Sequence, residues 1–240
     1  MPVHRCAALV LGSGAAGLRA AVELKRRDID VMVATQSAFG GTSACLGSDK
    51  QTLHTANGAG RGDDFRDGRC ARRRRRHARG HGYIEAVGSP RALSSLQFPG
   101  LPIPQDRLGS VLRYQTDHDE VGGATSCGPR TSRLTVQPLA REAIRLAVPI
   151  FNHTTGVRLL VDIGARPRSV GVLALSPKRR TSDNSLGLAV FFCDSVVIAT
   201  AVQDRMSDHA AIICVPSDVK ASLAAARSLN ESIRQKRHRL

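Results

Sequence analysis

Apolar and polar positions alternate most informatively between Cys6 and Ala34. Cys6-Ala-Ala-Leu-Val-Leu11 is a short unbroken apolar run, and a run of that length bounded by polar residues and glycine predicts a buried strand. From Leu18 to Arg27 apolar residues recur at helical spacing among charged ones, and Val31-Met-Val-Ala34 is a second short apolar run. The order predicted is strand, helix, strand. No apolar stretch approaches the roughly 18–20 residues that a membrane span needs. The run at Cys6–Leu11 is short and passes directly into glycines, unlike an export signal. A soluble, cytoplasmic protein is the expectation.

Between the first strand and the helix stands Gly12-Ser13-Gly14-Ala15-Ala16-Gly17, a G-x-G-x-x-G pattern. Each glycine has a task in such a unit. Gly12 makes the tight turn, Gly14 lets backbone approach a pyrophosphate, and Gly17 lets helix and strand pack closely. Ser13, Ala15 and Ala16 contribute backbone between them, and the helix start offers free N–H groups and a positive dipole end to phosphates. A lone pattern of this kind is often only a glycine turn. Here strand, helix and second strand surround it in the required order, which favours dinucleotide binding.

The residues after the second strand bear on which dinucleotide. An NAD site wants Asp or Glu there for the ribose hydroxyls, whereas this chain has Thr35 and Gln36. Ser37 to Ser48 follows, rich in small and hydroxyl residues, and contains Gly41-Thr42-Ser43. Such a segment suits close passage beside an extended cofactor; its plain alternative is a surface loop.

With these residues the chain resembles the fumarate reductase/succinate dehydrogenase/L-aspartate oxidase flavoproteins. That family joins the glycine fingerprint to Ser or Thr after the second strand, as at Thr35, and to a Thr/Ser/Gly loop along FAD, as at Gly41-Thr42-Ser43. Members that bind flavin covalently carry a His in that loop. None occurs here, so the resemblance implies noncovalent FAD. Further segments match. Ala92 to Asp106 reads as a helix and a Gly-Leu-Pro turn, and Gly128-Pro129-Arg130-Thr131 leads into a helix over Leu134 to Leu146. Phe151 to Asp162 resembles the family's strand pair, with backbone near Val157 a candidate for the adenine. Gly171 to Leu175 and Asp194 to Thr200 resemble two later strands, the second ending in Ala-Thr where the family continues Gly-Gly. Thr200 joins the candidate cofactor residues on that ground.

The family's proton-donating arginine, its dicarboxylate-clamping His and Arg residues, its capping domain and its second FAD-contacting segment find no counterpart. A truncated form that binds FAD at most is therefore expected, with catalytic residues unassigned. His118-Asp119-Glu120 looks like an acid/base cluster. Without a partner it reads as a polar loop.

The net charge of +15 raises a nucleic-acid reading. Much of that charge is local. Residues 67–82 hold seven arginines against one aspartate, including the run Arg72–Arg76, and residues 201–240 hold seven Lys/Arg against four Asp/Glu. A solvated loop and a phosphate-binding patch are both open for the run. A local frame slip is the reading favoured here, because GC-rich codons read one nucleotide later give a Gly-rich, acidic segment like the family's. The same device restores a glycine turn after Thr200, leaving 201–240 as an atypical basic tail or a genuine basic helix. Aromatics are 3% with no Trp, too few for base-stacking platforms. Six cysteines (Cys6, Cys45, Cys70, Cys127, Cys193, Cys214) form no C-x-x-C pair, which disfavours a zinc site or disulfide framework.

The sequence thus predicts an α/β fold, a Rossmann-like FAD-binding domain with a central parallel sheet over residues 1–200, less regular over 50–130. The function expected is that of an FAD-dependent oxidoreductase with a small substrate, a dicarboxylate by resemblance. An NAD(P)-dependent Rossmann dehydrogenase and a basic nucleic-acid-binding protein are the alternatives.

Overall fold

A computed structural model describes residues 1–45, 52–55, 79–116, 119–163, 168–200 and 213–215. Strand β1 (Val3–Leu11) leads through the glycine turn to helix α1 (Ala15–Lys25), then β2 (Val31–Ala34) and the short α2 (Thr42–Cys45). There follow β3 (Leu53–His54), α3 (Arg79–Gln97), β4 (Tyr114–Thr116), β5 (Asp119–Thr125), α4 (Thr131–Arg145), β6 (Ile150–Phe151), β7 (Thr155–Asp162), β8 (Arg168–Leu175), β9 (Leu188–Ile198) and β10 (Ile213–Val215). The chain forms two compact units, one of Met1–Thr42 with Ala140–Leu240 and one of Ser43–Leu139.

The first unit is built on a sheet of order β6-β2-β1-β9-β8-β7, with β10 also on β9. From β6 to β9 the strands are parallel, Leu9 pairing with Met32 on one side and Val196 on the other. This is the Rossmann half that the first apolar runs predict. From β9 to β7 the pairing turns antiparallel, Val172 opposite Phe191 and Leu159 opposite Val172. The antiparallel half goes beyond the parallel sheet expected. Its edge strand β7 is exposed or half-buried throughout, with Arg158 and Asp162 exposed, whereas β8 and β9 bury residues on both faces.

The core of this unit joins both halves. Leu9, Leu11, Ala34, Val172, Ala174, Phe191 and Val196 are buried together. Phe191 is wholly buried, its ring 4.8 Å from His4 and 5.0 Å from Phe151. Burial and proximity to the Arg179 guanidinium hold the His4 imidazole below its usual range. Helix α1 buries Gly17, Leu18, Ala21 and Val22, the i, i+3, i+4 stripe of an amphipathic helix. It ends two residues before the Arg27 expected from the pattern, at a turn where Asp28 takes a positive φ of 57°.

The second unit holds a small antiparallel sheet of order β3-β5-β4 and helix α3. Leu93, Leu101 and Ile103 form its core with Leu53, Leu96 and Val111. The short strands fit the less regular segment expected over 50–130. Helix α3 runs to Gln97, and the Gly-Leu-Pro turn follows with Gly100 at φ +107°. Gly128 to Thr131 opens α4: the Thr131 hydroxyl donates to the Gly128 carbonyl at 2.6 Å and accepts the Cys127 amide. Asp119 and Glu120 open β5 rather than a loop, while His118, the run Arg72–Arg76 and the terminal Arg234–Arg239 lie outside the described residues.

Candidate functional site

The carboxyl ends of β1, β2 and β9 meet at the glycine turn. Gly12 donates its amide to the Ala34 carbonyl at 2.8 Å, and Ala199 donates its own to the Leu11 carbonyl at 2.9 Å. The turn is therefore tied to β2 on one side and to the end of β9 on the other. Gly12 has a φ of +104°, and a Cβ there would lie 2.7 Å from the Ala199 carbonyl oxygen. At Gly17 a Cβ would overlap the Gly12 carbonyl and lie 3.3 Å from Ala199 Cβ. These two glycines perform the tasks their positions predict, close turn and close helix packing.

Gly14 is the N-cap of α1, in extended conformation, and no side chain caps the helix. The first intrahelical bond is Leu18 N–H to the Gly14 carbonyl at 2.9 Å. The amides of Ala15, Ala16 and Gly17 therefore precede the helical ladder. The first turn carries no acidic residue, so nothing on it opposes an anion. A diphosphate fits such a place: unsatisfied amides, a positive dipole end, and glycines that leave room.

Ser13 and Thr35 are brought together, but inward. They are 2% and 6% exposed, with Oγ and Oγ1 3.0 Å apart. Ser13 Oγ donates to the Ser37 carbonyl at 3.1 Å and accepts the Phe39 amide at 3.0 Å. Thr35 donates its amide to Phe151 and accepts the Thr154 amide on its carbonyl. Its polar atoms are engaged within the fold, so Thr35 shapes the end of β2. Gln36, the next residue, is exposed.

Asn152, to which the sequence assigns no role, holds the following loop. Its Oδ1 accepts the Ala38 amide at 2.8 Å and the His153 amide at 2.9 Å. Phe39 and His153 take φ values of 58° and 54°, unusual for residues with a side chain. An asparagine beside a turn is a weak signal in a sequence, because the loop it clamps lies over a hundred positions away. Gly41 has a φ of +84° with no atom within 4 Å of an added Cβ. Thr42 begins α2 in the first unit, and Ser43 belongs to the second.

The Thr154–Thr35 bond sets the start of β7 beside the end of β2. A Cβ on Gly156 would come 3.1 Å from Leu11 Cδ1, so this strand passes over the end of β1. Val157 follows, 53% exposed. Thr200, also exposed, directly follows Ala199, and its amide would lie 3.4 Å from a Gly12 Cβ. In the first unit, Gly12–Gly17, Gln36, Val157 and Thr200 thus stand around one sheet end, where open α/β sheets bind ligands.

No curated protein matches the chain. Among solved structures it resembles Mycobacterium smegmatis Sdh1 in complex with UQ1, at TM-score 0.73 and 19% identity, covering 84% of this chain and 34% of that one. FrdA of E. coli quinol fumarate reductase gives TM-score 0.71 at 17% identity, covering 84% and 33%. A 3-ketosteroid-delta4-(5alpha)-dehydrogenase from Rhodococcus jostii RHA1 gives 0.65 at 18%, covering 82% and 46%. The chain spans about a third of the length of the first two. These likenesses establish the fold. The FAD binding domain family matches residues 7–202, from the second residue of the first apolar run to just past Thr200, and the chain belongs to that family.

Proposed function

We propose that the first unit binds FAD noncovalently and that the chain is the nucleotide-binding part of a flavin-dependent oxidoreductase. The observation that carries this reading is the uncapped start of α1 behind a glycine turn closed by Ala199. The amides of Ala15, Ala16 and Gly17 would receive the pyrophosphate. The neutral, exposed Gln36 would lie toward the ribose, backbone near Val157 toward the adenine, and Thr200 beside the turn. Ser13 and Thr35 act through each other as positioning residues. Gly41-Thr42-Ser43 is assigned to the flavin-side loop on its sequence alone. FAD supplies hydride or electron acceptance; the chain supplies binding, orientation and electrostatics.

The substrate class proposed is a small dicarboxylate, as the sequence resemblance implies. Fold alone does not choose it, since the similar structures include both a fumarate reductase and a ketosteroid dehydrogenase. No described helix is long and apolar enough to cross a membrane.

Thermal unfolding of the purified chain with FAD or NAD tests the reading. A ligand at a hundred times its Kd stabilises by about 2.7 kcal/mol. FAD is expected to raise the melting temperature and NAD to leave it unchanged, with all flavin released on acid precipitation. Stabilisation by NAD without FAD would transfer the site to an NAD(P)-dependent dehydrogenase.

A further inference from the structure

Further back along β1 and β9, away from the glycine turn, two cysteines face each other. Cys6 and Cys193 are register partners on these neighbouring parallel strands, and neither is in a disulfide. Each thiol acts on the other, Cys193 pushing the Cys6 thiol up and Cys6 pulling the Cys193 thiol down. Neighbouring strands run about 4.8 Å apart, within the roughly 4.4–6.8 Å Cα separation that a disulfide accepts without backbone movement.

Cys193 belongs to the buried core and Cys6 packs against it, yet the pair also reaches the surface. Both cysteines line an open cavity of about 340 Å³, together with Arg5, Arg168, Ser169 and Asp194. Ser169 is 3% exposed and its hydroxyl has no hydrogen-bond partner. That hydroxyl is itself sealed from solvent, whereas the charged residues Arg5, Arg168 and Asp194 make the cavity polar enough for a small hydrogen-bonding guest. Peroxide is such a molecule: water-sized, and both donor and acceptor.

We propose that Cys6 and Cys193 form a dithiol site that hydrogen peroxide converts reversibly to an intramolecular disulfide. The neighbouring Cys6 foremost holds the Cys193 thiol below its usual range, against burial and Asp194; the thiolate is the form that attacks. Cys193 Sγ takes one peroxide oxygen, the O–O bond breaks, and the departing hydroxide leaves as water with the Cys6 proton. Cys6 Sγ then attacks the Cys193 sulfenic sulfur and the S–O bond breaks; the hydroxide expelled takes up the proton that Cys193 released on forming its thiolate and leaves as a second water. Two thiols and one peroxide become one disulfide and two waters. The sulfurs lose the two electrons that the peroxide gains. The bond ties β1 to β9, the two strands that close on each other at Gly12 and Ala199, and the proposal stands independently of flavin binding.

Graded hydrogen peroxide applied to the full chain, followed by denaturing alkylation and nonreducing tryptic mapping, tests it. Trypsin leaves Cys6 alone in residues 6–19 and Cys193 alone in 181–205, so the link is read without ambiguity. The expected result is a crosslink of those two peptides, removed by dithiothreitol, with alkylatable thiols falling from six to four. In Cys6→Ser, dimedone should capture a sulfenic acid on Cys193; the native map decides if that variant does not fold. Cys6 and Cys193 alkylated separately at peroxide doses that oxidise other cysteines, or linked elsewhere first, would overturn the proposal.

Discussion

Ser13 Oγ and Thr35 Oγ1 lie 3.0 Å apart in a buried contact that joins the glycine turn to the end of β2. The second position of the fingerprint and the residue that stands in place of an acidic ribose ligand are therefore one structural feature. Both hydroxyls reach the Ser37 carbonyl, but Ser13 carries more of the contact, because it alone accepts the Phe39 amide.

Ser13→Ala should accordingly cost more than Thr35→Val. The first leaves a loop amide without its acceptor, a loss of about 1–3 kcal/mol, whereas the second removes one hydroxyl and should cost about 0.5–1.5 kcal/mol. Urea unfolding of the two variants against the native chain gives the order directly.

Two positive-φ glycines in the site should respond differently to alanine. Gly41→Ala meets open space, so only the left-handed backbone opposes it, at about 1–2 kcal/mol. Gly12→Ala adds a clash with the Ala199 carbonyl, and it should both destabilise further and weaken FAD binding at least about tenfold, or 1.4 kcal/mol. Flavin titration of both variants separates local strain from loss of the turn.

Phe191 should behave as the keystone of the first unit. It is wholly buried against His4 and Phe151, so Phe191→Ala should cost about 3–5 kcal/mol. Phe191→Leu retains much of the volume and should cost less. Equal losses in thermal unfolding would mean that ring contacts, not filled volume, govern this core.

Acid should weaken the junction between α1 and α4. Glu142 accepts from Arg145 at 2.8 Å and from Arg26 at 2.9 Å. The Arg145 hydrogen bond foremost, then that of Arg26, holds its carboxyl down at about 2 against partial burial. A folded pKa below the unfolded one gives stability present at neutral pH and lost as pH falls from about 4.5 toward 2. The share is on the order of 1–3 kcal/mol, reduced by the exposure of the arginines. Glu142→Gln should lose that stability at pH 7 and show a flatter acid limb; an unchanged limb would assign the acid sensitivity elsewhere.

The parts legible in the sequence are those with local signatures. The apolar run to Leu11, the glycines and Val31–Ala34 specify turn, helix and parallel pairing within a few dozen residues. Gly100 and Gly128 likewise mark turns that the structure contains. The antiparallel half is less legible, because β9 begins at Leu188, before the Asp194 to Thr200 segment that resembles the family's strand, and the charged positions of β7 obscure its pairing with β8. The inward turn of Thr35 depends on Ser13, the Asn152 clamp on Ala38, and the Cys6–Cys193 pair on strand register. All three bring distant positions together, and no local periodicity encodes them.

The most direct test of the central claim is a titration of the flavin-free chain with FAD and with FMN. With the pyrophosphate on the start of α1 and the adenosine half near Val157, FAD should bind at least about tenfold more tightly than FMN, or 1.4 kcal/mol, and ADP should compete. Equal affinity for FMN, or no competition by ADP, would contradict it.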